Sequence, residues 1–239
     1  MGNQAYKQVL KDPEVNISQN PETVALVKQV ADRVIQAAKK SKYSEKASAY
    51  EWDVSVIQND KTLNAFALPG GKIAIYTGIF PVAKNTAGLA AIMGHEVVHA
   101  LARHGAERMS QGLVTQAGLT AAAIALQTQG LGGVGGQSIM SALGVGAQVG
   151  VVLPFSREHE SEADYIGLLL AAEAGYDPRE AVRVWQRMKH ASEGQQPEFL
   201  STHPGHDTRI RQLQDWMPEA LTRYRNGPEA PVQKLPPVQ

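Results

Sequence analysis

One segment restricts the fold more than any other. In residues 86 to 104, TAGLAAIMGHEVVHALARH, the apolar residues Leu89, Ile92, Met93, Val97, Val98 and Leu101 recur at helical spacing with no proline among them. A helix this apolar belongs in a core, yet it carries His95, Glu96 and His99. Positions four apart on an α-helix lie about 40° apart around the axis, one turn above each other. Both imidazoles can therefore reach one cation from the same face. Glu96 stands beside that face, placed to take a proton from a water polarised by the same ion, the arrangement of a zinc peptidase.

Composition narrows the donor set. The chain of 239 residues has seven histidines and no cysteine, so a metal must sit on imidazole and carboxylate. Disulfides and thiol nucleophiles are excluded by the same absence. Lys+Arg and Asp+Glu number 23 each and apolar residues make up 43%. That balance argues against nucleic acid as a partner and against wholesale disorder. One domain over residues 1–225 is expected.

A catalytic zinc takes three protein ligands. His104 is rejected as the third, because on a continued helix it lies about 180° around the axis from His95; it is expected to complement the helix C-terminus. The longer HExxHxxGxxH pattern fails at Ala102 and Gly105. The third ligand should come from another helix, and residues 156 to 174 offer one. There Glu160 and Asp164 share a face, so that one carboxylate can bind metal while the other accepts the free N–H of a ligand histidine. Spacing alone leaves Glu160 in competition with its acidic neighbours; Glu158 and Glu162 face elsewhere and are expected to be solvated.

The remaining elements follow from punctuation and period. Asn20-Pro21-Glu22 starts a helix running to about Lys40, part of a helical N-terminal region over about 1–45. From Tyr50 to Val56 the period becomes two, and Asn64–Leu68 and Lys72–Tyr76 flank Pro69-Gly70-Gly71 as a hairpin. A small sheet over about 50–77 and helices thereafter give an α+β, mainly helical class. Residues 105–153 are rich in Ala and Gly, with five glycines between Gly130 and Gly136. They read as two packed helices with a flexible joint, too interrupted for a membrane span; a cover over the site, or a surface meeting membrane or another subunit, is the alternative. Asp177-Pro178 restarts a helix, and the proline-rich stretch over 226–239 reads as a frayed tail.

Taken together, HEVVHALARH, SREHESEAD and STHPGHDTRIRQL, preceded by NAFALPGGKIAIYTG, resemble the zinc metallopeptidase family of the CAAX prenyl proteases and HtpX. These are gluzincins, with soluble bacterial BepA- and LoiP-like members and a mitochondrial OMA-type branch. The resemblance implies a zincin-like fold, one Zn2+ on His95, His99 and Glu160, Glu96 as general base and Asp164 behind a ligand histidine. It implies that His203 lies near the metal, stabilising an oxyanion or closing the open coordination position. It further implies an exposed edge strand along the cleft, giving Asn64, Ala65, Gly70, Gly71 and Ile73 as substrate-binding residues. Arg209 is expected to pair with an acid near the site, and His159 and His206 to be peripheral. The implied activity is a zinc-dependent endopeptidase acting on misfolded or envelope polypeptides. A gated chaperone or assembly factor with latent proteolysis is the alternative. The implied setting is a bacterial periplasm or outer membrane, the leader trimmed, with a membrane surface or envelope assembly machinery as partner.

Overall fold

The computed structural model describes residues 2–108, 110, 154–191, 198–204 and 206–238. Two compact units divide the chain, residues 1–105 with 155–239 and residues 106–154; the fold below is that of the first. The expected helix pair around Gly130–Gly136, and its use as a cover, lie outside the described residues.

Helix α1 spans Gly2–Lys11, α2 Pro21–Ala38 and α3 Ser44–Ala49. Asn20 caps α2 as its sequence predicts: its side-chain oxygen accepts from the backbone N–H of Glu22 and Thr23 at 3.0 Å each, with Pro21 in the first turn. The stripe Val27, Val30, Ala31, Val34 and Ile35 is buried.

Strands β1 (Asp53–Ile57), β2 (Ala65–Leu68) and β3 (Lys72–Tyr76) form one sheet in the order β1-β3-β2. The hairpin β2–β3 is antiparallel, and its turn holds Gly70 and Gly71 at φ 92° and 86°, values that favour glycine. Pairing of β1 with β3 is parallel. Strand β2 is the edge on the side of the helices that follow. Ile73 is not on that edge: it sits on the central strand at 0% exposure, and this corrects its assignment to a substrate-facing position. Gly71 packs against the Trp52 ring, leaving Ala65, with Asn64 just before it, as the residues of the set at the edge strand.

A 3-10 turn (Thr77–Ile79) and α4 (Phe80–Ala83) lead into α5 (Thr86–Ala102), capped by Asn85, whose Oδ1 accepts from Gly88 N at 2.9 Å. Nearly every position of α5 is buried. Helix α6 (Arg157–Glu173) crosses it at a glycine pair. A Cβ on Gly94 would lie 2.5 Å from the Gly167 carbonyl oxygen, and one on Gly167 would lie 2.7 Å from the His95 nitrogen. Two helices can approach this closely only where both lack a side chain. Helices α7 (Arg179–Ala191), α8 (Glu198–Thr202) and α9 (His206–Asn226) close the core around them. The fold is therefore mainly helical with a small mixed sheet.

The stretch after Asn226 does not fray as expected. Ala230 N donates to Gly175 O at 3.0 Å, Thr86 N to Gln233 O at 2.9 Å and Leu235 N to Lys84 O at 3.1 Å, while Ala230 and Leu235 are buried. Paired backbone and two apolar anchors outweigh the disordering tendency of its prolines. Among the described residues, no helix is long and apolar enough to cross a membrane.

Candidate metal centre

The crossing of α5 and α6 sets two histidines against a carboxylate. His95 and His99 project from α5 with their Nε2 atoms 3.0 Å apart. Glu160, in the first turn of α6, brings Oε1 to 3.3 Å from His99 Nε2 and Oε2 to 3.6 Å from His95 Nε2. That turn is fixed by Ser156, whose hydroxyl accepts from His159 N at 3.1 Å. His203, just past α8, adds its Nδ1 at 3.1 Å from His95 Nε2 and 2.8 Å from Glu160 Oε1. The four residues are buried, and their ligand atoms lie within 4.8 Å of one another.

These residues fit a zinc ion. Ligands of a tetrahedral zinc with bonds of about 2.0–2.1 Å stand about 3.3 Å from each other, and the observed separations of 3.0, 3.3 and 3.6 Å bracket that value. Neutral imidazole beside an ionised carboxylate is the required donor state. Burial, aided by His95, pushes His99 well below its ordinary pKa. Burial alone would raise Glu160, but Arg209, His203 and His95 hold it well below the usual carboxylate range.

Asp164, one turn along α6, places Oδ1 3.0 Å from His95 Nδ1, on the side of the ring away from the cluster. Arg209 from α9 spans both acids. Its Nε and Nη2 reach Asp164 at 2.5 Å each, its Nη1 forms an ion pair with Glu160, and its guanidinium lies 3.6 Å over the Trp185 ring. Burial opposes charge on Asp164, yet Arg209 and His95 bring its pKa below the ordinary value. The expected pairing of Arg209 is thus with both carboxylates, while its stacking on Trp185 carried no signal in the sequence.

Glu96 is 2% exposed and points from α5 toward His203, with Oε1 3.6 Å from Nε2 of that ring. Burial raises its pKa against the opposing pull of His203 and His95. Among the described residues its Oε1 has no hydrogen-bond partner, which leaves a buried acceptor beside the cluster open to a further donor. The same carboxylate is bonded by the backbone of Ala67 on β2, which ties the edge strand to the site. Aromatic rings wall the cluster: Phe155 lies 4.1 Å from the His99 ring and Phe199 stacks on His203 at 4.4 Å, centroid to centroid.

Two residues depart from the sequence reading. Helix α5 stops at Ala102 because Arg103 turns left-handed, at φ 67°. His104 consequently leaves the helical path, and the 180° argument does not apply to it. It is 2% exposed, its Nδ1 lies 3.0 Å from Nδ1 of His99, and its ring stacks on His159 at 4.3 Å. Glu162, expected in solvent, accepts from Lys42 at 2.9 Å and Tyr43 at 2.7 Å and lies 3.3 Å from His104 Nε2. Against the upward push of burial, the three hydrogen bonds hold its pKa down to about 2. His206 opens α9, and His159, expected to be peripheral, packs behind the cluster on His104.

The chain is 38% identical over 228 residues to the mitochondrial metalloendopeptidase OMA1 of Schizosaccharomyces pombe, covering 93% of this chain and 62% of that protein. Identity to the Saccharomyces cerevisiae protein of the same name is 33%, covering 95% and 66%. The β-barrel assembly-enhancing protease of Yersinia pestis matches at 30% over 65% of this chain and 32% of its own length. The chain thus spans a little under two thirds of the yeast relatives it matches. These findings correct the expected bacterial periplasmic or outer-membrane setting: the relatives matched over most of the chain are named mitochondrial. A model of Peptidase family M48 matches residues 22–217. Since that range takes in α5, α6 and His203 together with most of the fold, the chain belongs to Peptidase family M48.

Proposed function

We propose that this chain is a zinc-dependent metalloendopeptidase, with His95, His99 and Glu160 as the metal ligands and Glu96 as the general base. The observation that carries the reading is the buried convergence of two imidazoles and a carboxylate beside a second carboxylate whose Oε1 is unpartnered among the described residues. A zinc ion held there would act as a Lewis acid for the scissile carbonyl and acidify the attacking water. The protein supplies the rest. Asp164 holds His95 by Nδ1 so that Nε2 faces inward, and Arg209 keeps both acids ionised. Glu96, raised by burial, takes the water's proton and delivers it to the leaving amine.

The substrate is polypeptide, and we place it along β2, where an edge strand takes a peptide by main-chain hydrogen bonds whatever its side chains. Such indifference to sequence suits unfolded or misassembled chains, which supports a role in protein quality control. Glu96→Gln tests the assignment. It should keep one zinc per chain by metal analysis and lower casein cleavage by about 10²–10⁴-fold. Undiminished cleavage by that variant excludes Glu96 as the base.

One observation favours a gated variant of the same reading. His203 Nδ1 lies 3.1 Å from His95 Nε2 and 2.8 Å from Glu160 Oε1, near enough to fill the position that a catalytic zinc leaves for water. If His203 closes the resting site, His203→Ala raises peptidase activity; if it holds the oxyanion, activity falls.

A further inference from the structure

We infer that His104 and Glu162 form a relay that positions His99, the second of the proposed metal ligands, by fixing which of its ring nitrogens carries the proton. The inference rests on the metallopeptidase reading only in taking His99 as a ligand.

Glu162 Oε1 already accepts from Lys42 Nζ at 2.9 Å and from Tyr43 Oη at 2.7 Å. Its other oxygen, Oε2, lies 3.3 Å from His104 Nε2, and a carboxylate flanked by those donors can only accept. His104 Nε2 therefore carries the proton. In a neutral imidazole the other nitrogen is then an acceptor. His104 Nδ1 lies 3.0 Å from His99 Nδ1, so His99 must donate from Nδ1. The consequence at the far side of that ring is a bare lone pair on Nε2, the atom that faces Glu160 at 3.3 Å and His95 at 3.0 Å. Each bond in the chain forces the next.

Geometry supplies what the donor logic requires. The left-handed Arg103 turns the chain back so that a residue five positions on, rather than one on the same helical face, reaches the outer nitrogen of His99. The His159 ring stacks on His104 at 4.3 Å with an interplanar angle of 16°, which sets the plane of the relay ring. The His95 side of the site uses a carboxylate directly, Asp164 on Nδ1 at 3.0 Å. On the His99 side an imidazole is interposed, and its carboxylate is half-exposed and tied to Lys42 and Tyr43, next to α3. His104 and Glu162 touch no reacting atom and are positioning residues.

The test is zinc affinity of the metal-stripped full chain, measured by competition with a chromophoric chelator. His104→Ala should weaken zinc binding by about 10–100-fold, the usual effect of losing the partner of a ligand histidine. His104→Asn, whose Oδ1 can stand where Nδ1 stands, should recover most of that loss. Glu162→Gln, at a half-exposed position that leaves the core intact, should weaken binding several-fold and carries the test if His104→Ala does not fold. In the zinc-loaded parent, one downfield imidazole N–H resonance assigned to His99 Nδ1 should be present and should vanish in His104→Ala. Parent-like affinity in both His104→Ala and Glu162→Gln overturns the relay, as does an Asn variant no better than Ala. A parent chain that binds no zinc would instead overturn the metallopeptidase reading, so the two failures are told apart.

Discussion

Gly167→Ala puts the architecture of the site to its sharpest test. Glycine in a helix interior is disfavoured by about 1 kcal/mol relative to alanine, so local propensity alone predicts that the variant is more stable. The crossing of α5 and α6 predicts the reverse. The added Cβ would lie 2.7 Å from the His95 nitrogen and 2.8 Å from the Gly94 carbonyl carbon, where ordinary contact begins at 3.4 Å. The atoms it meets are backbone and cannot rotate aside, so the helices must separate by about 0.7 Å. Overpacking of this kind costs about 1–3 kcal/mol. Set against the propensity gain, the net is a loss of up to about 2 kcal/mol, or several degrees in Tm for a chain of this size. The same displacement acts on the proposed ligand set, because His95 and His99 ride on one helix and Glu160 on the other. Metal bonds tolerate departures of about 0.2 Å, so zinc affinity should fall by about tenfold or more. Thermal unfolding of the metal-stripped protein and chelator competition read the two effects separately. A variant with a raised Tm and unchanged zinc affinity would refute the claim that this glycine pair sets the distance between the ligands.

Other expectations follow from the same contacts. Arg209→Met leaves Asp164 and Glu160 buried without their cation, and removing one partner of such a pair costs about 3–5 kcal/mol; denaturant unfolding should show it. Deleting residues 229–239 removes three backbone hydrogen bonds and the burial of Leu235, a loss on the order of 4 kcal/mol that a shifted urea midpoint would report. Glu180 accepts from Arg183 at 2.7 Å and Arg187 at 2.9 Å; burial opposes its charge, but these bonds hold its pKa below the ordinary value. Its folded pKa being the lower one, its contribution is present above the ordinary glutamate pKa of about 4.3 and is lost as pH falls through the folded value. The Tm gap between the parent and Glu180→Gln should therefore be open at pH 7 and narrow toward pH 3.

What the sequence disclosed was local. Helical spacing showed that His95 and His99 share a face, and the Asn20-Pro21 start and the Pro69-Gly70-Gly71 turn identified themselves, because each rests on neighbours in the chain. The carboxylate at 160 could be narrowed by spacing but not chosen, since the choice depends on where α6 crosses α5, and two glycines some seventy residues apart determine that. His104 was misread for a different reason. Left-handed backbone at a non-glycine residue such as Arg103 has no reliable sequence sign, and one such residue moves everything after it off the helical path. Parallel pairing of β1 with β3 and the seating of the tail are long-range contacts of the same kind, invisible to periodicity.

That seating has a consequence for how the molecule comes into being. The first turn of the helix bearing both histidines is laced to Gln233 through Thr86, in both directions, and the Lys84 carbonyl ahead of it is held by Leu235. Gln233 leaves the ribosome 147 residues after Thr86, the residue it fastens. A nascent chain halted short of Leu235 would carry every proposed ligand and still lack the clasp at the head of the helix that bears both histidines, so that clasp can close only after translation has passed Leu235.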